Sequence, residues 1–304
     1  MQAKLAATMT AMDGVIILDK PAGISSHDAV QKLRKITGVK RIGHLGTLDP
    51  LGTGVLPMVL GRATRLARFF LNHDRVYEAT LRFGFATDTY DREGKATTEP
   101  IDAGLEPDVL EPLLNEFRGK FEQAPPPVSA KKVDGVPAYK LARRNKPVEL
   151  DPVEVEVYEL ALLSLDGPLA QIRVCCSAGT YMRSLAHDLG IRLGHGAHVE
   201  SLRRTAMGEF TIDQAHTLDD LAALRSEDRL EEALTTPDQL LPEMPIERVD
   251  EVTAAHIAHG RDFRVSAFGN GKGSKRIKAV NRDGKLVAIA EAKMPLLYHP
   301  IIVF

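Results

Sequence analysis

The stretch GHLGTLDPLGTG, residues 43–54, concentrates four glycines and one proline in twelve residues. This composition predicts a loop whose backbone takes conformations that most other residues resist. Its one carboxylate, Asp49, precedes Pro50, whose ring disfavours the helical region for Asp49. The sequence therefore predicts a stiff, extended loop that presents a single carboxylate.

Apolar side chains interleave with the polar residues of this loop. They are Leu45, Leu48, Leu51, Val55 and Leu56. An isolated Asp-Pro pair is most often a surface turn, but a loop in solvent needs no such anchors. We therefore expect the loop to be attached to a hydrophobic core, with Asp49 as the candidate catalytic group.

The composition is typical of a globular protein with room for one large domain and a small one. The 304 residues are 44% hydrophobic and 26% charged, and no apolar run reaches the length of a bilayer span. Cys175 and Cys176 are adjacent and cannot form an ordinary disulfide with each other. With no secretory signal at the N-terminus, these features predict a cytoplasmic protein that does not associate with membranes. The ten histidines are scattered, so we expect no metal site.

The net charge of −2 hides an uneven distribution. Residues 1–75 hold 11 Lys and Arg against 5 Asp and Glu, a net of +6. Residues 212–245 hold 2 against 9, a net of −7, and residues 246–304 hold 10 against 6, a net of +4. Because only the local field matters to an approaching polyanion, the two basic regions are compatible with a nucleic acid as a partner.

One basic segment continues directly from the region of the Asp49 loop. In Gly61–Arg68, the three arginines Arg62, Arg65 and Arg68 recur at a spacing that places them along one side of a helix. A solvated surface is the simplest interpretation of any single charged group. Together with the basic residues that precede the loop, Lys32, Arg34, Lys35, Lys40 and Arg41, these arginines instead favour a nucleic-acid surface.

The order of hydrophobic patterns predicts a tail, a large domain and a small domain. Residues 14–21 read as a buried strand, and a basic helix begins at Ser25 or Ser26. Thr180 is the expected N-cap of a later helix. After Pro242 and Pro245 the pattern changes to short strands and glycine turns. We therefore divide the chain into a flexible tail (1–12), a domain that contains the candidate catalytic group (13–245) and a small basic domain suited to a nucleic acid (246–304).

Five segments resemble the TruB-type tRNA pseudouridine synthases, which convert the T-loop uridine at tRNA position 55 to pseudouridine. They are residues 14–26, 44–54, 128–132, 177–184 and 196–205, and the match runs in order over about residues 13–210. The resemblance implies an α+β fold: a mixed, largely antiparallel central sheet flanked by helices. It also implies a small C-terminal PUA-like β-barrel.

The resemblance also implies roles for eight residues. Asp49 is the expected catalytic aspartate, Arg183 pairs with it, and Tyr181 is a candidate for removing the proton at C5. The expected substrate-binding residues are His44, Tyr77, Leu202, Lys20 and Lys132. Of Lys131 and Lys132, the spacing favours Lys132. Gly52 stands where the family more usually has alanine.

The chemistry of the family suits these residue types. Isomerisation of uridine involves no redox change, so we expect no cofactor and no metal. A stacked base must be flipped into a pocket before it can react; Tyr77 offers a stacking face and His44 could fill the vacated space. The residues do not decide which carbon Asp49 attacks. The expected partner is the T-stem-loop of tRNA, and we expect a monomer.

Two other functions fit parts of the sequence. A nucleoside or glycoside hydrolase could use Asp49, but such enzymes generally need a second carboxylate, for which only Asp88 occupies a comparable loop. A non-catalytic RNA-binding or tRNA-folding protein would need only the basic regions. The presence of Asp49, Tyr77, Tyr181 and Arg183 together argues against that second function.

Overall fold

The computed structural model describes residues 12–129, 150–267, 269 and 271–304, together with the backbone of residues 132–133 and 136–137. Residues 1–11 of the predicted tail lie outside this part of the chain.

The helices and strands of the described residues alternate irregularly, as expected of an α+β protein. The strands are β1 Gly14–Lys20, β2 Ile42–His44, β3 Thr53–Leu60, β4 Arg75–Phe83, β5 Gly119–Gln123, β6 Lys132–Val133, β7 Val136–Pro137, β8 Val153–Asp166, β9 Leu169–Cys176, β10 Ala197–Met207, β11 Phe210–Thr211, β12 Leu234–Thr235, β13 Ile246–Arg248, β14 Phe263–Arg264, β15 Arg276–Val280, β16 Leu286–Met294 and β17 Leu297–Val303. The α-helices are α1 Ser26–Thr37, α2 Pro107–Glu116, α3 Met182–Leu193, α4 Leu218–Ser226 and α5 Glu251–Ala258. Short 3-10 helices span Gly61–Phe69, Ile212–Gln214 and Leu230–Ala233.

The larger sheet has ten strands in the order β12-β1-β3-β10-β4-β9-β8-β5, with β2 added beside β3 and β11 beside β10. The pair β3 and β10 is parallel, and the other pairs of this sheet are antiparallel. This mixed, largely antiparallel sheet confirms the predicted fold class. The parallel pair brings the end of the Asp49 loop next to the basic strand β10.

A second sheet of five strands, in the order β13-β15-β16-β17-β14, follows at the C-terminus. It is consistent with the predicted PUA-like domain, and its outer helix is α5. One hydrophobic cluster joins the two sheets, because Ile289 and Ile302 pack in the same buried group as Val15 and Ile17. Residues 246–304 are therefore fastened to the larger sheet through a shared core.

The helix ends explain one success and one error of the sequence prediction. Helix α1 begins after Ser25, whose side chain and Asp28 form a reciprocal capping box, as predicted. Helix α3 begins one residue later than predicted, with Tyr181 and not Thr180 at the N-cap position. The Thr180 hydroxyl instead donates to the carbonyl of Ser177 at 3.0 Å, because the chain makes a tight turn there.

The Asp49 loop is attached to the core as its apolar residues predicted. Its five anchors are at most 4% exposed: Leu45, Leu48, Leu51, Val55 and Leu56. Leu48 and Leu51 belong to the cluster beneath α1, whereas Leu45 belongs to the cluster shared with the C-terminal sheet. The loop is thus fastened to both sides of the larger sheet.

Candidate active site

Backbone hydrogen bonds fix the chain on both sides of Asp49. The Ser26 hydroxyl accepts from the Leu48 amide and donates to the Leu48 carbonyl, each at 2.9 Å. On the other side, the Gly23 amide donates to the Pro50 carbonyl at 2.9 Å. The carboxylate therefore projects from a backbone with little freedom to move.

Lys20 supports the loop from inside the protein. Its side chain is fully buried, and its ammonium donates to the carbonyls of Pro21 and Ile24 at 2.8 Å and of Pro50 at 3.3 Å. Burial lowers the pKa of Lys20 to about 8, against the opposing attraction of Asp49. The structure thus places Lys20 beneath the loop, with its ammonium bonded to backbone carbonyls, and its contact with substrate remains a prediction.

Arg183 holds the carboxylate of Asp49. Its Nε donates to Asp49 Oδ2 at 2.9 Å from the first turn of α3. The Arg183 side chain is only 6% exposed, whereas the side chain of Asp49 is 37% exposed. One oxygen of the carboxylate is thus oriented by a buried cation, while the group as a whole stays open to a ligand.

The remaining donors of Arg183 tie two further segments to the site. Nη1 donates to the Thr89 carbonyl at 3.1 Å, and Nη2 donates to the Val128 carbonyl at 2.9 Å. Asp91, which is 5% exposed, also lies 3.8 Å from Nη1. Asp91 therefore adds a second negative charge on the side of Arg183 away from Asp49.

A pocket of about 210 Å³ opens beside Asp49. Its lining residues come from the loop, from β4 and β10, and from the start of α3: Gly46, Thr47, Leu48, Asp49, Arg75, Tyr77, Gly179, Thr180, Tyr181, Met182, Arg183 and Leu202. Tyr77 and Leu202 are 6% and 8% exposed and give it an apolar wall. The predicted residues Asp49, Tyr77, Tyr181, Arg183 and Leu202 thus meet in one place.

Tyr181 is fixed at the pocket by a residue that the sequence analysis missed. The fully buried Gln123, at the end of β5, accepts from the Tyr181 amide at 2.8 Å and donates to the Tyr181 carbonyl at 3.1 Å. Burial is the main cause that raises the pKa of the Tyr181 phenol. The phenol is therefore protonated at neutral pH and carries a hydrogen that it can donate.

Arg204 lies behind Tyr77 and is fully buried. Its Nε donates to the Val55 carbonyl at 2.8 Å and its Nη2 to the Gly46 carbonyl at 3.1 Å, so it grips both ends of the loop. Nη1 has no hydrogen-bond partner in the part of the chain that the structure describes. Burial lowers the pKa of Arg204 and the facing phenol of Tyr77 opposes that effect.

Two predicted substrate-binding residues, His44 and Lys132, are not among the pocket-lining residues that the structure describes. His44 ends β2 and is half-buried, and burial together with the charge of Arg204 lowers its pKa. The backbone of Lys132 lies in β6, but its side chain lies outside the described residues. Both residues remain predictions as substrate contacts.

Two family models match consecutive parts of the chain. The TruB family pseudouridylate synthase N-terminal domain matches residues 34–182, and the tRNA pseudouridylate synthase B C-terminal domain matches residues 183–245. The chain belongs to the TruB family. The boundary between the two models falls within the site, since Arg183 pairs with Asp49 across it.

Relatives with the same printed name align over nearly the whole chain. A tRNA pseudouridine synthase B of Solibacter usitatus is 56% identical over 96% of this TruB-family chain and 100% of its own length. One from Geobacter sulfurreducens is 40% identical over 92% of this chain and 94% of its own.

Solved structures share the fold. One is a chain of an H/ACA ribonucleoprotein bound to a substrate RNA containing 2′-deoxyuridine, with a TM-score of 0.71 and 26% identity; the match covers 97% of this chain and 86% of that one. Another, from an archaeal box H/ACA Nop10–Cbf5 complex, has a TM-score of 0.69 and 26% identity over 96% and 86% of the two chains. The pseudouridine synthase fold predicted from the sequence is thus confirmed.

Some residues of the site act through hydrogen bonds to backbone atoms of distant segments, and the sequence did not predict these roles. Gln123 and Arg204 are buried polar side chains that grip carbonyls and amides, and Arg75 lines the pocket at 9% exposure. Asp91 belongs to a polar loop that the sequence shows without assigning it a role. The one feature of the sequence that could have indicated these roles is that Gln123 and Arg204 are polar residues within strand-forming segments.

Proposed function

We propose that this TruB-family chain is a tRNA pseudouridine synthase that isomerises the T-loop uridine at position 55. The observation that carries the proposal is the Asp49–Arg183 pair at 2.9 Å, placed at the mouth of a pocket walled by Tyr77, Tyr181 and Leu202. The near full-length similarity to proteins named tRNA pseudouridine synthase B supports it.

The proposed reaction breaks the N1–C1′ bond of the uridine and forms a C5–C1′ bond. The C5 proton leaves and N1 gains one, so atoms and charge balance without a co-reactant. Asp49 provides the nucleophile, at C6 or at C1′, from the carboxylate that Arg183 orients. The base enters the pocket after it is flipped out of the RNA and stacks on Tyr77.

Tyr181 is the proposed proton relay. Because its phenol stays protonated at neutral pH, it passes on a proton by donating its own hydrogen as it accepts another. The grip of Gln123 on both backbone groups of Tyr181 fixes where that hydroxyl can reach.

The proposal also names the substrate and the separate roles of residues 13–245 and 246–304. The T-stem-loop of tRNA is the proposed ligand of the pocket, and the protein acts as a monomer in the cytoplasm. Residues 13–245 carry the chemistry and residues 246–304 contribute RNA affinity. Among the described residues, no helix is long and apolar enough to cross a membrane.

A hydrolase is the weaker alternative because, among the residues that the structure describes, Asp49 is the one carboxylate that lines the pocket. Asp88 is exposed in a turn, and one of its oxygens accepts from the Lys95 amide at 2.8 Å. Asp91 is buried on the far side of Arg183 and does not line the described pocket.

The test is incubation with an unmodified tRNA transcript, followed by mapping of pseudouridine through carbodiimide-dependent primer stops. A stop at position 55 that requires the enzyme is the expected result. Release of free uracil with no such stop would show hydrolysis and refute the proposal.

A further inference from the structure

The arginines of the 3-10 helix Gly61–Phe69 have no role in the proposed chemistry. Arg62, Arg65 and Arg68 are exposed and three residues apart. Because a 3-10 helix has three residues per turn and rises about 2 Å per residue, the three side chains form a column with a repeat of about 6 Å. That repeat is comparable to the separation of successive phosphates along a nucleic-acid strand.

This column lies well away from the pocket. The 3-10 helix follows the last residue of β3, Leu60, whereas the first residue of β3, Thr53, adjoins the Asp49 loop. Seven residue steps of a strand, at about 3.3 Å each, separate the two ends by roughly 23 Å. Groups at this distance do not touch a base that occupies the pocket.

Aromatic rings hold these arginines in place. The Cζ atoms of Arg62 and Arg65 lie 5.8 and 5.3 Å from the centre of the Phe304 ring. Arg68 and Arg276 lie 5.1 and 5.5 Å from the centre of the Phe69 ring. An arginine over a ring face is restrained while its in-plane N–H groups can still meet a phosphate. For Arg62 and Arg65 these are the Nη groups, because Nε of Arg62 donates to Asp13 at 2.6 Å and Nε of Arg65 donates to the Arg62 carbonyl at 3.5 Å.

The local charge is strongly positive. Arg41 lies near Arg65, since after burial its charge is the next cause that lowers the pKa of Arg65. In the part of the chain that the structure describes, two carboxylates form ion pairs with these five arginines: Asp13, 2.6 Å from Arg62, and Glu291, 3.6 Å from Arg276. Arg276 Nε is buried and has no hydrogen-bond partner among the described residues.

A cleft of about 200 Å³ separates the 3-10 helix from the C-terminal sheet. Its lining is Arg68, Phe69, Arg276, Glu291 and Ile301. Arg68 from the 3-10 helix and Arg276 from the C-terminal sheet therefore face one opening that can admit a phosphate group and its water. The positive surface is continuous across the junction between residues 13–245 and 246–304.

We propose that Arg41, Arg62, Arg65, Arg68 and Arg276, the arginine surface, bind the sugar-phosphate backbone of the tRNA helix beyond the target stem-loop. The inference rests on the proposed function in taking tRNA as the substrate. Restrained guanidinium groups in a regular column match a regular array of phosphates, because each can make a bidentate contact.

The test compares two RNAs and three variants. Arg62→Gln/Arg65→Gln/Arg68→Gln removes three charges from the surface, and the corresponding triple Lys variant keeps charge but loses planarity. Arg192→Gln/Arg225→Gln/Arg229→Gln is the control, because it removes three exposed arginines from other elements and changes the net charge equally. Thermal melting of each variant checks that it is folded.

Full-length tRNA should bind the Gln variant about tenfold more weakly near 0.15 M salt. The slope of log affinity against log salt should also fall by about two to three. Binding and conversion of an isolated T-arm stem-loop should stay within twofold of wild type, and the control triple should match wild type on both RNAs. The Lys triple should retain the salt slope and lose part of the affinity.

Unchanged binding of full-length tRNA by the folded Gln variant would overturn the inference. An equal loss of affinity of the Gln variant for full-length tRNA and for the isolated stem-loop would also overturn it, since that result would place the arginines at the stem-loop. If the wild-type protein makes no pseudouridine in either RNA, the proposed function fails, whereas the binding comparison still decides the role of the arginine surface. Phosphate footprinting on full-length tRNA should show protection outside the T arm that only the Gln triple loses.

Discussion

Gly54 and Arg204 pair in the parallel ladder between β3 and β10, with no room for a side chain between them. Gly54 has φ +94°, and a β-carbon there would collide with the carbonyl oxygen of Arg204. Gly52, two residues earlier, has an ordinary φ, and its β-carbon would meet its nearest neighbours at 3.4 Å. Of the two glycines at the end of the Asp49 loop, Gly52 therefore has room for a β-carbon and Gly54 does not.

Gly54→Ala should destabilise the protein by at least about 2 kcal/mol, because it combines backbone strain with a collision. Gly52→Ala, the matched control, should change the free energy of unfolding by less than about 1 kcal/mol, and in the stabilising direction. Urea denaturation of both variants measures the difference. Equal costs would contradict the described packing of the loop.

Asp49→Asn should abolish detectable pseudouridine formation while tRNA binding stays within about tenfold, or roughly 1.4 kcal/mol. The amide oxygen can still accept from Arg183, so the loop should keep its shape, but the nucleophile is lost. Asp88→Asn is the control and should retain full turnover. Tritium release from C5-labelled tRNA and filter binding of the same preparations measure both properties. Substantial turnover by Asp49→Asn, with deamidation excluded by mass spectrometry, would remove Asp49 from the mechanism.

Tyr77→Phe should keep turnover within a few-fold and lower stability by about 1 kcal/mol, because Arg204 loses the facing hydroxyl. Tyr77→Ala should lose at least about tenfold in turnover, since stacking on an aromatic ring contributes roughly 1–3 kcal/mol. Single-turnover rates and thermal melts separate the two effects. A severe loss of turnover in both variants would assign the hydroxyl to the chemistry.

Lys20 predicts a pH dependence of stability that Lys20→Met should lack. Its pKa is about 8 in the folded chain, and its ordinary value of 10.5 applies when unfolded. Below pH 8, Lys20 is charged in both the folded and the unfolded state. Between pH 8 and 10.5, Lys20 holds its proton only in the unfolded state. Raising the pH through this window therefore stabilises the fold. The stability of wild type relative to the variant should rise by up to about 3 kcal/mol across this window. Urea melts at pH 7 to 10 test this, and a flat difference would contradict the buried ammonium.

Removing residues 246–304 should lower the melting temperature of the remainder by at least about 5 °C, as expected for a loss of about 2 kcal/mol in a domain of this size. The cause is exposure of the shared cluster, which loses Val280, Leu286, Ile289 and Ile302. At a temperature where the truncated protein is folded, tRNA affinity should fall more than the single-turnover rate. An unchanged melting temperature would show that the two parts are energetically independent.

The sequence predicted what local pattern and chemistry determine. The apolar anchors of the Asp49 loop, the start of α1 and the meeting of Asp49 with Arg183 all follow from residue order or from the family resemblance. The N-cap of α3 was wrong by one residue, because the Ser177 carbonyl captures the Thr180 hydroxyl. The hydrogen bonds between Gln123 and Tyr181 and between Arg204 and Gly46 were not predictable, because they join segments that only the folded sheet brings together.

The three bonds of Arg183 also decide when the site can exist during synthesis of the chain. They join Arg183 to Asp49, Thr89 and Val128, which lie 134, 94 and 55 positions before it in the sequence. A growing polypeptide therefore carries Asp49 long before the cation that orients it has left the ribosome. Since such distant contacts form late in folding, the site is completed only after most of the large sheet has been made. Unfinished chains consequently lack the Asp49–Arg183 pair on which the proposed reaction depends.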